Sequence, residues 1–366
     1  MADPTGAIET ADIRAAVAAG VLNERQAASL TALAHSRRGA RENLAAGDEP
    51  FELFRGFNEI FIITGLLILA TGWAGLGVWV VASAPETFRT TLATYSIVTV
   101  AIVWLLSEYF IRRRRMVGPA ILLSLMFAAT AAFAFTQWLA QVFMLAREDY
   151  SSLIVPGLLT VAAILVFWLR YKVPFAMALI ALGLFATALL AAATRAGTPA
   201  GLSEIFLFSG SGGFGAITLA LGAATFAVAM VFDGSDPHRV TRRSAQGFWL
   251  HLVAAPMIIN TVALSLLQSG SDQANIAILV LMALFAVIAV AIDRRSFLLA
   301  AIGYIVTVIL TLNPITQDQG FAWLILALGA FLVALGAFWA PVRAALVAVL
   351  PLGRLRRFLP PTREFP

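Results

Sequence analysis

Ten apolar runs, the first beginning at Phe57, constrain this chain more than any other feature. Their approximate limits are 57 to 82, 88 to 111, 117 to 144, 152 to 169, 173 to 194, 205 to 232, 246 to 268, 275 to 292, 296 to 313 and 321 to 340. Each is roughly 18 to 28 residues long, enough for a helix to cross a hydrocarbon core of about 30 Å. A 366-residue chain that is 60% hydrophobic and 12% charged carries too much apolar surface for a soluble core, so lipid is expected to be its solvent. The expected fold is all-α: a polytopic transmembrane helix bundle of about ten spans.

Positive charge sets the expected orientation. With those runs read as spans, 22 of the 25 Lys and Arg residues fall on one side. They are Arg14, Arg25, Arg37, Arg38, Arg41 and Arg55; the loop Arg112, Arg113, Arg114 and Arg115; Arg170 and Lys172; Arg239, Arg242 and Arg243; Arg294 and Arg295; and Arg343, Arg354, Arg356, Arg357 and Arg363. Arg89, Arg147 and Arg195 fall on the other side, where every loop is short. By the positive-inside rule both termini are expected in the cytoplasm. The same rule accounts for the net charge of +5 without nucleic acid, which is not expected as a partner.

Before the first run, residues 1–38 read as a small cytoplasmic helical hairpin. Ile13 and Val17 are spaced i, i+4, Gly20 suits a helix C-terminus, and Asn23 with Gln26 has the spacing of a capping box. Ala27, Leu30 and Ala34 then line one face of a second helix. The hairpin is either a docking element for a cytoplasmic protein or a local element of the membrane domain. Residues 39–56, with Gly39, Gly47 and Pro50, are expected to be a linker, and 57–340 the membrane domain. The tail 341–366 mixes Leu, Val and Phe with five arginines and reads as an amphipathic anchor on anionic headgroups. The opening MADPTGAIETADIR lacks the charged and apolar regions of a signal peptide, so the first span is expected to direct insertion.

Little in the sequence points to chemistry. There is no cysteine, which excludes disulfides, thiolate metal sites and cysteine acylation. GSGGFG at 210–215 matches G-x-G-x-x-G but opens a membrane span with no preceding strand, so close helix packing or a helix break is expected at Gly210, Gly212, Gly213 and Gly215. Gly72, Gly75 and Gly77 in the first span carry the same expectation. Two such broken helices would suit an inverted repeat, although both clusters fall in the outer half of the bundle. The basic tips of four successive hairpins equally suit tandem duplication or the positive-inside rule alone. No P-loop and no G-x-S-x-G elbow occurs, and His35, His238 and His251 form no pair at metal-ligand spacing, so no cofactor or metal is expected.

Ionisable side chains inside lipid are expensive and are usually functional. Glu59, Glu108, Asp233 and Asp293 lie near basic span ends, where pairing with adjacent arginines is expected; Glu108 stands four residues before Arg112. Glu204 lies near an outer end. His251 falls deeper, roughly 10 Å into its span. Pro256 and Asn260 follow on the same helix, and Gln137 and Gln141 are spaced i, i+4 in the third span. These polar residues read either as a path for a proton or small solute, or as interhelical hydrogen bonds that fix the bundle.

The stretches AAGVLNERQAASL, FNEIFIITGLLILATGW, DPHRVTRRSAQGFWLHLVAAP and RAALVAVLPLGRLRRFLPP resemble uncharacterised bacterial multi-pass membrane proteins, grouped only as domains of unknown function. The resemblance implies a bacterial inner-membrane protein and carries no catalytic residues with it. Three functions are therefore expected in order. The first is a non-enzymatic membrane component acting through its cytoplasmic loops and hairpin. The second is a transporter of a small neutral or lipidic substrate past His251, Asn260, Gln137 and Gln141. The third is a membrane enzyme of lipid or glycan metabolism, with Glu59, Glu108 or Asp233 facing the arginine loops.

Overall fold

A computed structural model describes residues 10–23, 26–27, 30, 57–83, 85–141, 144, 149–208, 212–236, 242–268, 272–294, 326, 329–330, 333–351, 353, 356 and 359–360. The chain divides into two compact units, Met1–Asp48 with Arg363–Pro366, and Glu49–Thr362. Among the described residues it is helical throughout and contains no strand.

In the first unit, α1 (Thr10–Ala18) ends at Gly20, whose φ of 70° lets the chain reverse. The Val21 amide then donates to the Ala16 carbonyl at 2.9 Å. Asn23 and Gln26 form the reciprocal capping box: the Asn23 amide donates to Gln26 Oε1 at 3.0 Å and the Gln26 amide to Asn23 Oδ1 at 2.8 Å. Gln26, Ala27 and Leu30 are helical, while the rest of the expected second helix, with Ala34, and the expected linker 39–56 lie outside the described residues.

The second unit is a helix bundle. Its elements are α2 (Phe57–Ala82), α3 (Phe88–Ser107) continued by a π-helical turn over Glu108–Arg113, α4 (Val117–Leu139), α5 (Ile154–Tyr171), α6 (Pro174–Ala196), α7 (Phe214–Ser235), α8 (Arg242–Gln268) and α9 (Asp272–Ala291), followed by α10 (Trp339–Val349). With their flanking turns, α2 to α8 are seven segments of 21–29 residues, long and apolar enough to cross a membrane. Phe61, Ile68, Val78, Trp79, Leu105, Val166 and Val231 stand exposed on them, an outer surface that suits lipid rather than water. The seven match the first seven expected runs. The expected ninth, 296 to 313, lies outside the described residues, as do 321–325, 327–328 and 331–332 of the tenth.

Packing follows chain order. α4 lies against α3 and α5, and α8 against both α6 and α7. One core gathers Val103, Leu123, Phe127, Ile164, Phe167 and Tyr171. Its rings interlock, with Phe127 stacked on Phe167 at 4.7 Å and Trp104 tilted against Tyr171 at 5.3 Å. A second core, Ala255, Ile259, Ala263, Phe285 and Ala289, joins α8 to α9 through small side chains that let the helices approach closely. Lys172 ends α5 in a left-handed conformation, φ 53°, with its ammonium 4.0 Å from the Trp168 ring centroid, and Pro174 opens α6. The chain therefore turns between the fourth and fifth runs in two residues.

Several expectations need correction. The first span is unbroken: α2 runs through Gly72, Gly75 and Gly77. Among the described residues nothing lies within 4 Å of a Cβ placed on Gly72 or Gly75, whereas Gly77 lies under Tyr95, whose ring a Cβ would overlap. With no break in α2, the pair of broken helices behind the inverted-repeat idea disappears. The sixth span begins at Phe214 rather than near 205, because a short 3-10 turn (Glu204–Phe206) and a left-handed Gly213, φ 65°, precede it. Gly212 lies against the Phe214 ring, and Gly210 lies outside the described residues. The third span stops at Leu139, with Ala140 already extended, so Gln141 lies beyond the helix and shares no helical face with Gln137. The expected boundary at 340 falls inside α10, which buries Trp339, Arg343 and Val347 and packs on α9. The start of the tail therefore meets protein as well as lipid.

Gly215 and Gly72 give a paired test of this packing. A Cβ on Gly215 would come within 2.6 Å of the Leu207 carbonyl, which is backbone and cannot swing aside. Gly215→Ala is expected to destabilise the bundle by about 1–3 kcal/mol, as overpacking does. Gly72→Ala, in open helix, is expected to be neutral or to stabilise by up to about 1 kcal/mol. Thermal unfolding in mild detergent, followed by circular dichroism, distinguishes the two signs.

Candidate functional site

The ends of α7, α8 and α9 converge on one buried polar cluster at the basic end of the bundle. Asp233 lies in the last turn of α7, His251 in the third turn of α8, and Arg294 just past α9. The chain reaches Arg294 through a left-handed Asp293, φ 56°, with the Arg294 amide donating to the Ala289 carbonyl at 2.8 Å. Aspartate tolerates that conformation better than bulkier residues do. His251 and Arg294 are 0% and 1% exposed, so neither can rely on water.

The carboxylate of Asp233 holds both. His251 Nε2 lies 2.9 Å from Asp233 Oδ2, and Arg294 Nε donates to the same oxygen at 2.9 Å. Arg294 Nη2 donates to Asp233 Oδ1 and, at 3.0 Å, to the Ser244 carbonyl. An ionised carboxylate only accepts, so the imidazole carries a proton on Nε2 and donates it to Asp233. Phe226 presents a tilted ring to His251 at 5.2 Å. Gly247 leaves the room: a Cβ there would overlap Asp233 Oδ1 and lie 3.2 Å from Arg294 Nη2.

A second pairing starts from the neighbouring residue. Asp293 Oδ1 accepts a 2.6 Å hydrogen bond from Trp339 Nε1 and lies 3.8 Å from Arg343 Nε, while Arg343 Nη2 donates to the Pro360 carbonyl. Burial pulls the Arg343 guanidinium below its usual pKa, and the Asp293 charge opposes that pull. Adjacent residues thus send opposite charges to opposite partners: Arg294 into α7 and α8, Asp293 onto α10.

The other acids at this end are also engaged. Glu59 is buried and accepts from the Gly118 amide at 3.0 Å and the Val117 amide at 3.4 Å, capping α4 from α2. Glu108, in the π-helical turn, pairs with Arg112 at 3.3 Å and Arg170 at 2.7 Å, and the Tyr171 hydroxyl donates to it at 3.3 Å. The expected Glu108–Arg112 helical pair is therefore present, whereas Glu59 holds a helix N-terminus instead of an arginine. Arg114 donates to the Tyr109 hydroxyl at 3.2 Å, and Arg113 and Arg115 are exposed. Arg242 and Arg243, both exposed, open α8, where cations oppose the helix dipole. Helix stability does not explain them.

The four residues expected to line a path do not share one surface. His251 is inside the ionic cluster. Asn260 is half-buried about 13 Å farther along α8. Its Oδ1 has no hydrogen-bond partner among the described residues. Gln137 is exposed on the last turn of α4, and Gln141 is exposed beyond it, its backbone N–H donating to Ser152 Oγ at 3.2 Å. Sequence reasoning singled out His251 but missed its partners, because Asp233 was expected to pair with the nearby arginines at 239 to 243. The available signal was topological: Asp233 and Arg294 each close an apolar run at the same end of the bundle. Among the described residues, no group of three or more His, Asp or Glu could hold a metal ion.

No family model, curated protein or solved structure matches the chain. The site is therefore read from its own geometry.

Arg294→Met removes the cation from a buried pair and strands Asp233. It is expected to cost about 3–5 kcal/mol. The double variant Asp233→Asn, Arg294→Met is expected to cost less than the sum of the two single changes, since no lone charge remains. Denaturation midpoints of the four proteins in one detergent test this; additive losses would contradict the pairing.

Proposed function

We propose that the chain is a non-enzymatic component of a bacterial inner membrane, with its basic end in the cytoplasm, and that it acts there through its loops and its N-terminal unit. The reading rests on one observation. Glu59, Glu108, Asp233 and Asp293, four acids at the basic end, are each engaged in tying one helix to another. Among the described residues, this end also carries exposed arginines, Arg113, Arg115 and Arg242. Such a face suits anionic headgroups and an acidic surface on a cytoplasmic protein.

A transporter is the second reading, favoured by the His251–Asp233 pair, two ionisable side chains in contact inside the spans. Proteoliposomes that take up protons with the wild-type chain but not with His251→Gln would favour it over the first reading.

The absence of cysteine makes orientation directly testable. Single cysteines at Arg113 and Arg242 are expected to resist a membrane-impermeant thiol reagent in intact cells and to react after lysis. Cysteines at Glu86 and Gly201 are expected to react in intact cells. The reverse pattern would overturn the orientation. Crosslinked partners retained by the full chain and lost on deletion of residues 1–38 would support the docking role; identical sets would contradict it.

A further inference from the structure

We propose that the tip joining α3 to α4 and the tip joining α5 to α6 together form a binding site for the headgroup of an anionic phospholipid. The proposal deepens the reading above and rests on its placement of the basic end at a membrane surface. Six cations meet there: Arg112, Arg113, Arg114 and Arg115 on the first tip, and Arg170 and Lys172 on the second, all exposed. The acids beside them are Glu59, which is buried on the N-terminus of α4, and Glu108. Glu108 makes one cluster of the two tips, pairing with Arg112 at 3.3 Å and with Arg170 at 2.7 Å.

The cluster keeps donors to spare and holds them in place. Arg112 reaches Glu108 through Nη1 alone, and Arg170 uses Nε and Nη2 on the one oxygen Oε1, so each guanidinium retains free N–H groups. Arg114 donates to the Tyr109 hydroxyl at 3.2 Å with its guanidinium 5.6 Å from the ring centroid, and Lys172 sits 4.0 Å from the centroid of Trp168. Long side chains already ordered in this way lose less entropy when an anion binds. Arg113 and Arg115 make no ion pair among the described residues.

The backbone marks the same two tips. Arg115 and Lys172 both adopt the left-handed conformation, φ 54° and 53°, where glycine or asparagine costs less. Such positions cluster where a structure clamps a ligand. Arg112 and Arg113 lie on the π-helical turn, another irregularity that is frequent at functional sites.

What lies deeper identifies the ligand. About one helical turn from the cations, Leu105 on α3, Tyr109 in the turn that continues it, and Val166 and Leu169 on α5 are exposed. A molecule that meets arginine first and apolar side chains next has an anionic head and acyl chains. Phosphate oxygens accept readily from guanidinium groups, and basic clusters between membrane helices bind phospholipid headgroups. An acidic protein surface or a free phosphate would meet the cations and leave the apolar flank unused.

The test is native mass spectrometry of the full chain in detergent, with equimolar phosphatidylglycerol and phosphatidylcholine of identical acyl chains. The parent chain is expected to retain phosphatidylglycerol several-fold more than phosphatidylcholine. Arg113→Gln combined with Arg115→Asn, the latter compatible with the left-handed backbone, is expected to bring that ratio close to one. Lys172→Asn, on the other tip, is an independent variant expected to lower it. Arg89→Gln combined with Arg195→Gln, which removes two exposed cations from the opposite end, is expected to leave it unchanged. Excess inorganic phosphate is not expected to displace the lipid. No preference in the parent chain, an undiminished preference in the Arg113 and Arg115 variant or in Lys172→Asn, an equal loss in the Arg89 and Arg195 variant, or displacement by inorganic phosphate at the lipid's own concentration would each overturn the proposal. No partner protein is present in this measurement, so its failure and that of the docking role are read separately.

Discussion

A buried carboxylate must be answered by a buried cation, and in this chain that requirement fixes where three helices end. Asp233 on α7 meets Arg294 beyond α9, with His251 of α8 on the same oxygen. A one-residue shift of α7, or of the chain past α9, would leave a buried charge unpaired at a cost of about 3–5 kcal/mol, and one of α8 would take the imidazole from Asp233. The register of α7, α8 and α9 is therefore set electrostatically. Backbone space follows from it: Gly247 is bare where Asp233 and Arg294 meet, and Gly222 brings α7 close to Met257 and Ile258 on α8.

The first half of the bundle meets the same requirement by other means. Glu59 of α2 caps α4, and Glu108 binds α3 to α5 through Arg170 and Tyr171. Above these polar anchors the Trp104, Phe127, Phe167 and Tyr171 rings provide the apolar contact. Each half thus has its polar ties at the basic end and an apolar core along the helices, as expected where lipid offers no hydrogen-bond partners. α8 joins the halves by packing on α6, with Phe175 against Trp249 at 4.7 Å.

Much of this was legible in the sequence, and the missing parts have physical reasons. Apolar run length gave the helices, because spanning length depends on composition alone. The capping box at Asn23 and Gln26 was readable because both partners lie within one turn. Partners 61 residues apart were not: nothing local to Asp233 distinguishes Arg294 from the nearer Arg242 and Arg243. Glycine roles failed for a similar reason. Gly72 and Gly77 are five residues apart in one helix, yet only the second faces Tyr95, and that difference belongs to the neighbouring helix. The extent of α10 was hidden because Trp339 and Arg343 look like an interfacial anchor until Asp293 is placed beside them.

The central claim is that Asp233 and His251 are hydrogen-bonded inside the bundle, and solid-state NMR in lipid bilayers tests it most directly. With 13C-labelled aspartate carboxyls and 15N-labelled histidine rings, the account predicts one aspartate signal strongly dephased by a histidine nitrogen at hydrogen-bond range, and its loss in His251→Gln. Dephasing that is absent in the parent chain, or that persists in the variant, would contradict it.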